Sequence, residues 1–175
     1  AEGDVVIVNG TIGDHGAAIL SVREGFGMSS DLKSDCASLN SLIEGILEKS
    51  PNIHFMRDAT RGGLGSILSE AAHSSGARIE IHERKIPVRD EVRGICEILG
   101  LDPLYIANEG KIAVFCPAAD ADRVLSSMKA HPYGKEAGII GEVTAMTGPR
   151  VIIHTLIGGS REVDMPVGEL IPRIC

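Results

Sequence analysis

Aromatic side chains are scarce in this 175-residue chain, with two Tyr, three Phe and no Trp, 3% in all. That scarcity excludes an interior built on stacked rings, so Val, Ile, Leu and Ala, helped by Met, must fill the core. Positive charge is also short: 17 Lys and Arg face 24 Asp and Glu, a formal net charge of −7, with a pI near 5.3. Nucleic acid and anionic membrane both require a basic face, so neither is expected as the main partner. No apolar run approaches the roughly 18 residues of a membrane-spanning helix. Ala1-Glu2-Gly3-Asp4 has neither the basic nor the apolar character of a secretory leader, and a cytoplasmic setting is expected. The chain lacks an initiating Met, so its first residue is read as a cut within a longer protein. Cysteine pairs at C-x-x-C spacing are absent, which excludes a zinc ribbon.

What is present describes an ordinary globular domain. Hydrophobic residues make up 43% and charged residues 23%, far from disordered or fibrous compositions. A chain of this length buries roughly 70% of its unfolded surface and needs no disulfide staples. Of the four cysteines, Cys96 and Cys116 lie in apolar patterns and read as buried thiols, while Cys36 is expected at a helix start. Cys175 is the last residue, where a core role is implausible.

Strands are predicted at Val5–Val8, Ile53–Met56, Ile79–His82, Lys111–Phe115, Ile139–Val143 and Val151–Thr155. Arg161–Asp164 is expected to pair back across Gly158-Gly159. Apolar residues at spacings of three and four mark helices over Ala17–Val22, over Leu39 to Leu47 after Ser34-Asp35, over Leu64 to Ala72 closed by Gly76, over Val92 to Leu99 and over Ala118–Lys129. The elements do not alternate strictly, so the expected fold class is α+β, a mixed β-sheet covered by α-helices, rather than a doubly wound sheet. Residues 1–165 are read as one domain and 166–175 as an extended tail, since that segment carries two prolines and no periodicity.

Four segments carry candidate chemistry. Asp58-Ala59-Thr60-Arg61-Gly62-Gly63 joins a strand to a helix, and such a helix start attracts anions through its N–H groups, with Arg61 and Thr60 as further donors. An ordinary glycine turn before a capped helix explains it equally well. The G-x-x-x-x-G-K-[ST] loop is absent. Thr11-Ile12-Gly13-Asp14-His15-Gly16 is a second glycine-flanked helix entry, in which Asp14 and His15 are secondary candidates; a His capping the helix or bonded to backbone is the plainer reading. Ala107-Asn108-Glu109-Gly110-Lys111 breaks an apolar neighbourhood with a carboxylate that is either an acid–base group or a turn Glu paired with Lys111. Finally, Pro172-Arg173-Ile174-Cys175 places a cation two residues before a terminal thiol, an arrangement that favours thiolate.

Taken together, Gly10–Gly16, Ser34-Asp35-Cys36-Ala37, Arg57–Leu64, Pro87-Val88-Arg89, Ala107–Lys111, Ile140–Val143 and Pro172–Cys175 resemble the HypE family of hydrogenase maturation factors, the carbamoyl dehydratases. That family belongs to the superfamily of aminoimidazole ribonucleotide synthetase and selenophosphate synthetase. The terminal tetrapeptide is the most specific element of the resemblance. The resemblance implies the C-terminal-domain fold of that superfamily. It also implies a reaction in which Cys175 receives a carbamoyl group from a carbamoyltransferase, HypF. ATP then drives loss of water to give an S-cyanate, and the cyanide passes to the [NiFe]-hydrogenase iron on a HypC–HypD scaffold. Glu109 would accept the proton, and Asp58, Thr60, Arg61, Gly62 and Gly63 would position phosphate groups, with Asn108 in support. Chains of the family are about twice as long as this one, and their N-terminal domain supplies much of the ATP and Mg2+ site. The C-terminal half is therefore expected not to turn over alone, and no metal ligand is assigned within it. Two other readings stay open: an ATP-dependent small-molecule synthetase or kinase, which has no use for Cys175, and a non-catalytic module that docks on a maturation scaffold.

Overall fold

The computed structural model describes residues 1–23 and 32–165; the expected tail and Cys175 lie outside the described residues. Seven strands form one sheet in the order β2-β4-β1-β5-β3-β6-β7. They are β1 (Asp4–Val8), β2 (Phe55–Asp58), β3 (Arg78–His82), β4 (Ile112–Pro117), β5 (Gly138–Ala145), β6 (Arg150–His154) and β7 (Ser160–Glu162). All neighbours pair antiparallel except β3 and β6, which run parallel. The helices are α1 (Asp14–Arg23), α2 (Asn40–Lys49), α3 (Gly63–Ser75), α4 (Asp90–Leu99) and α5 (Ala121–Ala130). The mixed α+β sheet is as expected, including the β6–β7 hairpin across Gly158-Gly159.

Alternation along the central strands splits the core into two layers. Val6, Val8, Ala113 and Phe115 point toward α3, whose Leu64, Ile67, Leu68, Ala71 and Ala72 pack on them. Ile7, Ile112, Val114 and Cys116 point the other way, onto Leu42 and Ile46 of α2 and Val124 and Met128 of α5. A third cluster joins Ala17 and Leu20 of α1 to Val92, Ile95 and Cys96 of α4, with Ile106 between them. Burial drives the Cys96 and Cys116 thiols up to about 11, so both are inert at neutral pH.

Several boundaries differ from the sequence reading for local reasons. Helix α1 starts at Asp14 rather than Ala17; an acidic first turn suits the positive end of the helix dipole. The 118–129 segment divides into a tight 3-10 turn at Ala118–Asp120 and then α5. Cys36 is not at a helix start, because α2 begins at Asn40 after Leu39 and takes no side-chain cap. Ser34–Ala37 instead lies along the site.

Candidate functional site

Antiparallel pairing brings the end of β1, the end of β2 and the start of β4 to one end of the sheet, since Val8 faces Ala113 and Asp58 faces Ile112. The three glycine-bearing segments found in the sequence therefore emerge side by side. Asn108 ties them together. Its Oδ1 accepts the Gly13 N–H at 2.7 Å, and its Nδ2 donates to the carbonyls of Ala59 at 2.8 Å and Ile106 at 3.1 Å. Its backbone N–H also donates to Ala59. Asn108 is fully buried, so these bonds satisfy a polar group that would otherwise be costly to bury.

Asn9 performs the same service on the other flank. Its amide donates to Gly110 and Tyr133 carbonyls at 3.1 and 2.8 Å, and its Oδ1 accepts the Ile112 N–H at 2.8 Å. Gly110 has to be glycine, because a Cβ there would stand 2.0 Å from the Asp35 carbonyl oxygen. The Glu109 N–H donates to Asp35 Oδ1 at 3.0 Å. Lys111 pairs with Asp35 Oδ2 at 3.4 Å, so the expected partner of Lys111, Glu109, is replaced by a carboxylate 76 positions away (111 − 35).

A cleft of about 720 Å³ opens beside this turn. Its described walls include Thr11, Asp14, Ser34, Asp35, Cys36, Arg89 and Lys111. Asp14 is buried; the Thr11 hydroxyl donates to its Oδ2 at 2.5 Å and Arg89 Nε at 3.3 Å. Burial raises the Asp14 carboxyl above its ordinary value, against the opposing pull of Thr11, Arg89 and Lys111. Its Oδ1 is buried with no hydrogen-bond partner among the described residues. His15 sits in the first turn of α1 with Nδ1 2.8 Å from Ser34 Oγ, a side-chain partner rather than the cap or backbone bond expected. Cys36 is exposed at the cleft, and its N–H donates to Ser34 Oγ.

The Asp58–Gly63 segment lies next to this site but does not contribute to the described cleft walls. Asp58 ends β2 and is exposed, as is Arg61, while Thr60 is half-buried. Gly62 and Gly63 both adopt positive φ, 72° and 62°. A Cβ on Gly63 would come within 2.5 and 2.6 Å of the Leu104 and Ile106 carbonyl oxygens. The second glycine is thus explained by close backbone packing. Helix α3 starts here without a side-chain cap, the feature that suits a phosphate. Among the described residues no group of three or more His, Cys, Asp or Glu is placed to hold a metal ion. The described residues also include no helix long and apolar enough to cross a membrane.

Sequence reasoning missed Asp35 and Asn9. Both act through bonds to distant parts of the chain, 74 positions away for Asp35 with Glu109 and 101 for Asn9 with Gly110, which no local pattern reveals.

The domain class follows from the sequence as a whole: residues 1–154 match the family described as AIR synthase related protein, C-terminal domain. The chain belongs to that family. Within it, the chain is 52% identical over 99% of its length to the carbamoyl dehydratase HypE of Azotobacter vinelandii, of which it covers 51%. Its fold is similar to that of a hydrogenase maturation protein HypE solved in complex with ATP, with TM-score 0.93 and 41% identity, covering all of this chain and 53% of that one. It is also similar to HypE in a HypE–HypF complex, with TM-score 0.89 and 44% identity over 95% of this chain and 54% of that one. The chain spans about half the length of the curated relatives it matches.

Proposed function

We propose that this chain is the C-terminal half of an ATP-dependent carbamoyl dehydratase that makes the cyanide ligands of [NiFe]-hydrogenase in the cytoplasm. The observation that carries the reading is the 52% identity, held over 99% of the chain, to a protein named carbamoyl dehydratase. A match of that extent separates this branch from synthetases and kinases that share only the fold. The relatives solved with ATP and with HypF support ATP as co-substrate and HypF as the carbamoyl donor.

In this reading Cys175 carries the carbamoyl group as an S-carboxamide. The amide oxygen is a poor leaving group until ATP phosphorylates it, and expulsion of phosphate with loss of the nitrogen's protons leaves an S-cyanate. Glu109, presented on the clasped 108–111 turn, takes a proton from that nitrogen. Thr60, Arg61 and the start of α3 at Gly62-Gly63 assist the phosphate groups, with Asp58 alongside. Mg2+ and most ATP contacts belong to the N-terminal half, so this chain alone does not turn over. A HypC–HypD scaffold receives the cyanide.

The test uses the full-length protein with its carbamoyltransferase, carbamoyl phosphate and ATP, followed by the mass of the C-terminal peptide. The expected result is a carbamoyl group on Cys175 that then loses one water, with Cys175→Ser remaining unmodified. An unmodified Cys175, with scaffold binding that survives Cys175→Ser, would instead favour a docking module.

A further inference from the structure

We infer that Asp35 is a positioning residue for the dehydration step, acting through Glu109. The inference rests on the proposed function and extends it to a residue to which that function gives no part.

Three polar side chains hold the 108–111 turn. Asn108 fastens it to the Gly13 and Ala59 loops, and Asn9 fastens it to the end of β1. Asp35 comes from the third side, and its bond ends on Glu109 itself: Oδ1 accepts the Glu109 N–H at 3.0 Å. Its other oxygen lies 3.4 Å from Lys111 Nζ and is buried without a hydrogen bond among the described residues. One carboxylate therefore grips the residues on both sides of Gly110. The approach is close, since the place of a Gly110 Cβ is taken by the Asp35 carbonyl oxygen at 2.0 Å and the Ala37 Cβ at 3.2 Å.

The Asp35 side chain is 3% exposed, and its burial is costly, since one oxygen has a single amide donor and the other only a lysine at 3.4 Å and no hydrogen bond among the described residues. Glu109 is only half-buried, so water is an adequate partner for its N–H in a turn with no chemical duty. A buried acid paired with a lysine fixes both the height and the direction of the turn, and so the carboxylate of Glu109 relative to a thiol-bound amide. Displacing a proton acceptor by about 1 Å costs on the order of a hundredfold in rate.

The experiment follows a single turnover in the full-length protein whose Cys175 has been carbamoylated beforehand. ATP is added and water loss from the C-terminal peptide is timed by mass spectrometry in wild type, Glu109→Gln, Asp35→Ala and the double variant. Asp35→Ala is expected to accept the carbamoyl group normally and to dehydrate it about a hundredfold more slowly. Asp35→Asn, which keeps an acceptor for the Glu109 N–H, restores most of the rate. Adding Asp35→Ala to Glu109→Gln causes no further loss, because Asp35 acts through Glu109. A wild-type rate in Asp35→Ala, or additive losses in the double variant, overturns the inference while the proposed function stands. A wild-type rate in Glu109→Gln overturns the base assignment and this inference with it. If the alanine variant does not fold, Asp35→Ser, too short to reach the Glu109 N–H, takes its place with the same expected outcomes.

Discussion

Strands β1 and β4 bury every side chain from Val6 to Val8 and from Ile112 to Cys116, whereas β3 and β6 bury only alternate ones, Ile79, Ile81, Val151 and Ile153. The first pair lies between α3 on one face and α2 with α5 on the other. On the second pair, the face opposite α3 carries Arg78, Glu80, His82 and His154, linked by the Arg78–Glu80 ion pair and the Glu80–His154 hydrogen bond, both at 2.9 Å, and by stacked His82 and His154 rings. Strands covered on both sides read as continuous apolar runs, and strands covered on one side read as alternation. The site loops hang from the doubly covered half. A rigid, fully packed base suits turns that must hold side chains to fractions of an ångström.

The comparison breaks most severely where packing is densest. Ile7→Ala removes a fully buried side chain between β1 and the α2–α5 layer, and should cost about 3–5 kcal/mol. Ile152→Ala on the open face of β6 should cost less than about 1 kcal/mol. Urea unfolding of the two variants measures the difference, and equal losses would mean that the open face is covered after all.

Asn108→Ala tests whether the site end depends on its polar clasps as well as on its core. It strands the buried Gly13 N–H and should cost roughly 2–3 kcal/mol. Hydrogen exchange should show faster opening at Gly13 than at the β3–β6 pair.

The smallest effect lies on the open half. Burial, then Lys85 and His154, lowers the His82 imidazole below its ordinary 6.5, against the pull of Glu142 and Glu80. A histidine with a depressed folded value resists protonation in the folded state. Its contribution is complete above pH 6.5 and lost as the pH falls from there toward the lowered value. Unfolding midpoints measured from pH 7.5 to 5 should fall in wild type and fall less in His82→Gln. Glu80, held below 4.5 chiefly by its bond to His154, adds its own loss only at lower pH.

Much of this was readable in the sequence, for physical reasons that can be named. Val5–Val8 and Ile79–His82 announced both their strands and their coverage, and Gly76 closed α3 in the left-handed conformation expected of a C-terminal glycine. The glycine turns announced themselves as helix entries. Their joining did not, because Asn108, a secondary candidate, binds residues 95 and 49 positions away. Ser34-Asp35 misled the reading by looking like a helix cap. The helix starts later because these residues are committed to Glu109, Lys111 and His15. Propensity sees only neighbours, and tertiary bonds overrode it here.

The central claim is that the clasped turn presents Glu109 to an amide carried by Cys175. Its most direct test is the mass of the C-terminal peptide of carbamoylated full-length protein before and after ATP, in wild type and in Glu109→Gln. The account predicts that wild type loses one water and that Glu109→Gln does so far more slowly. Equal water loss in both would contradict it.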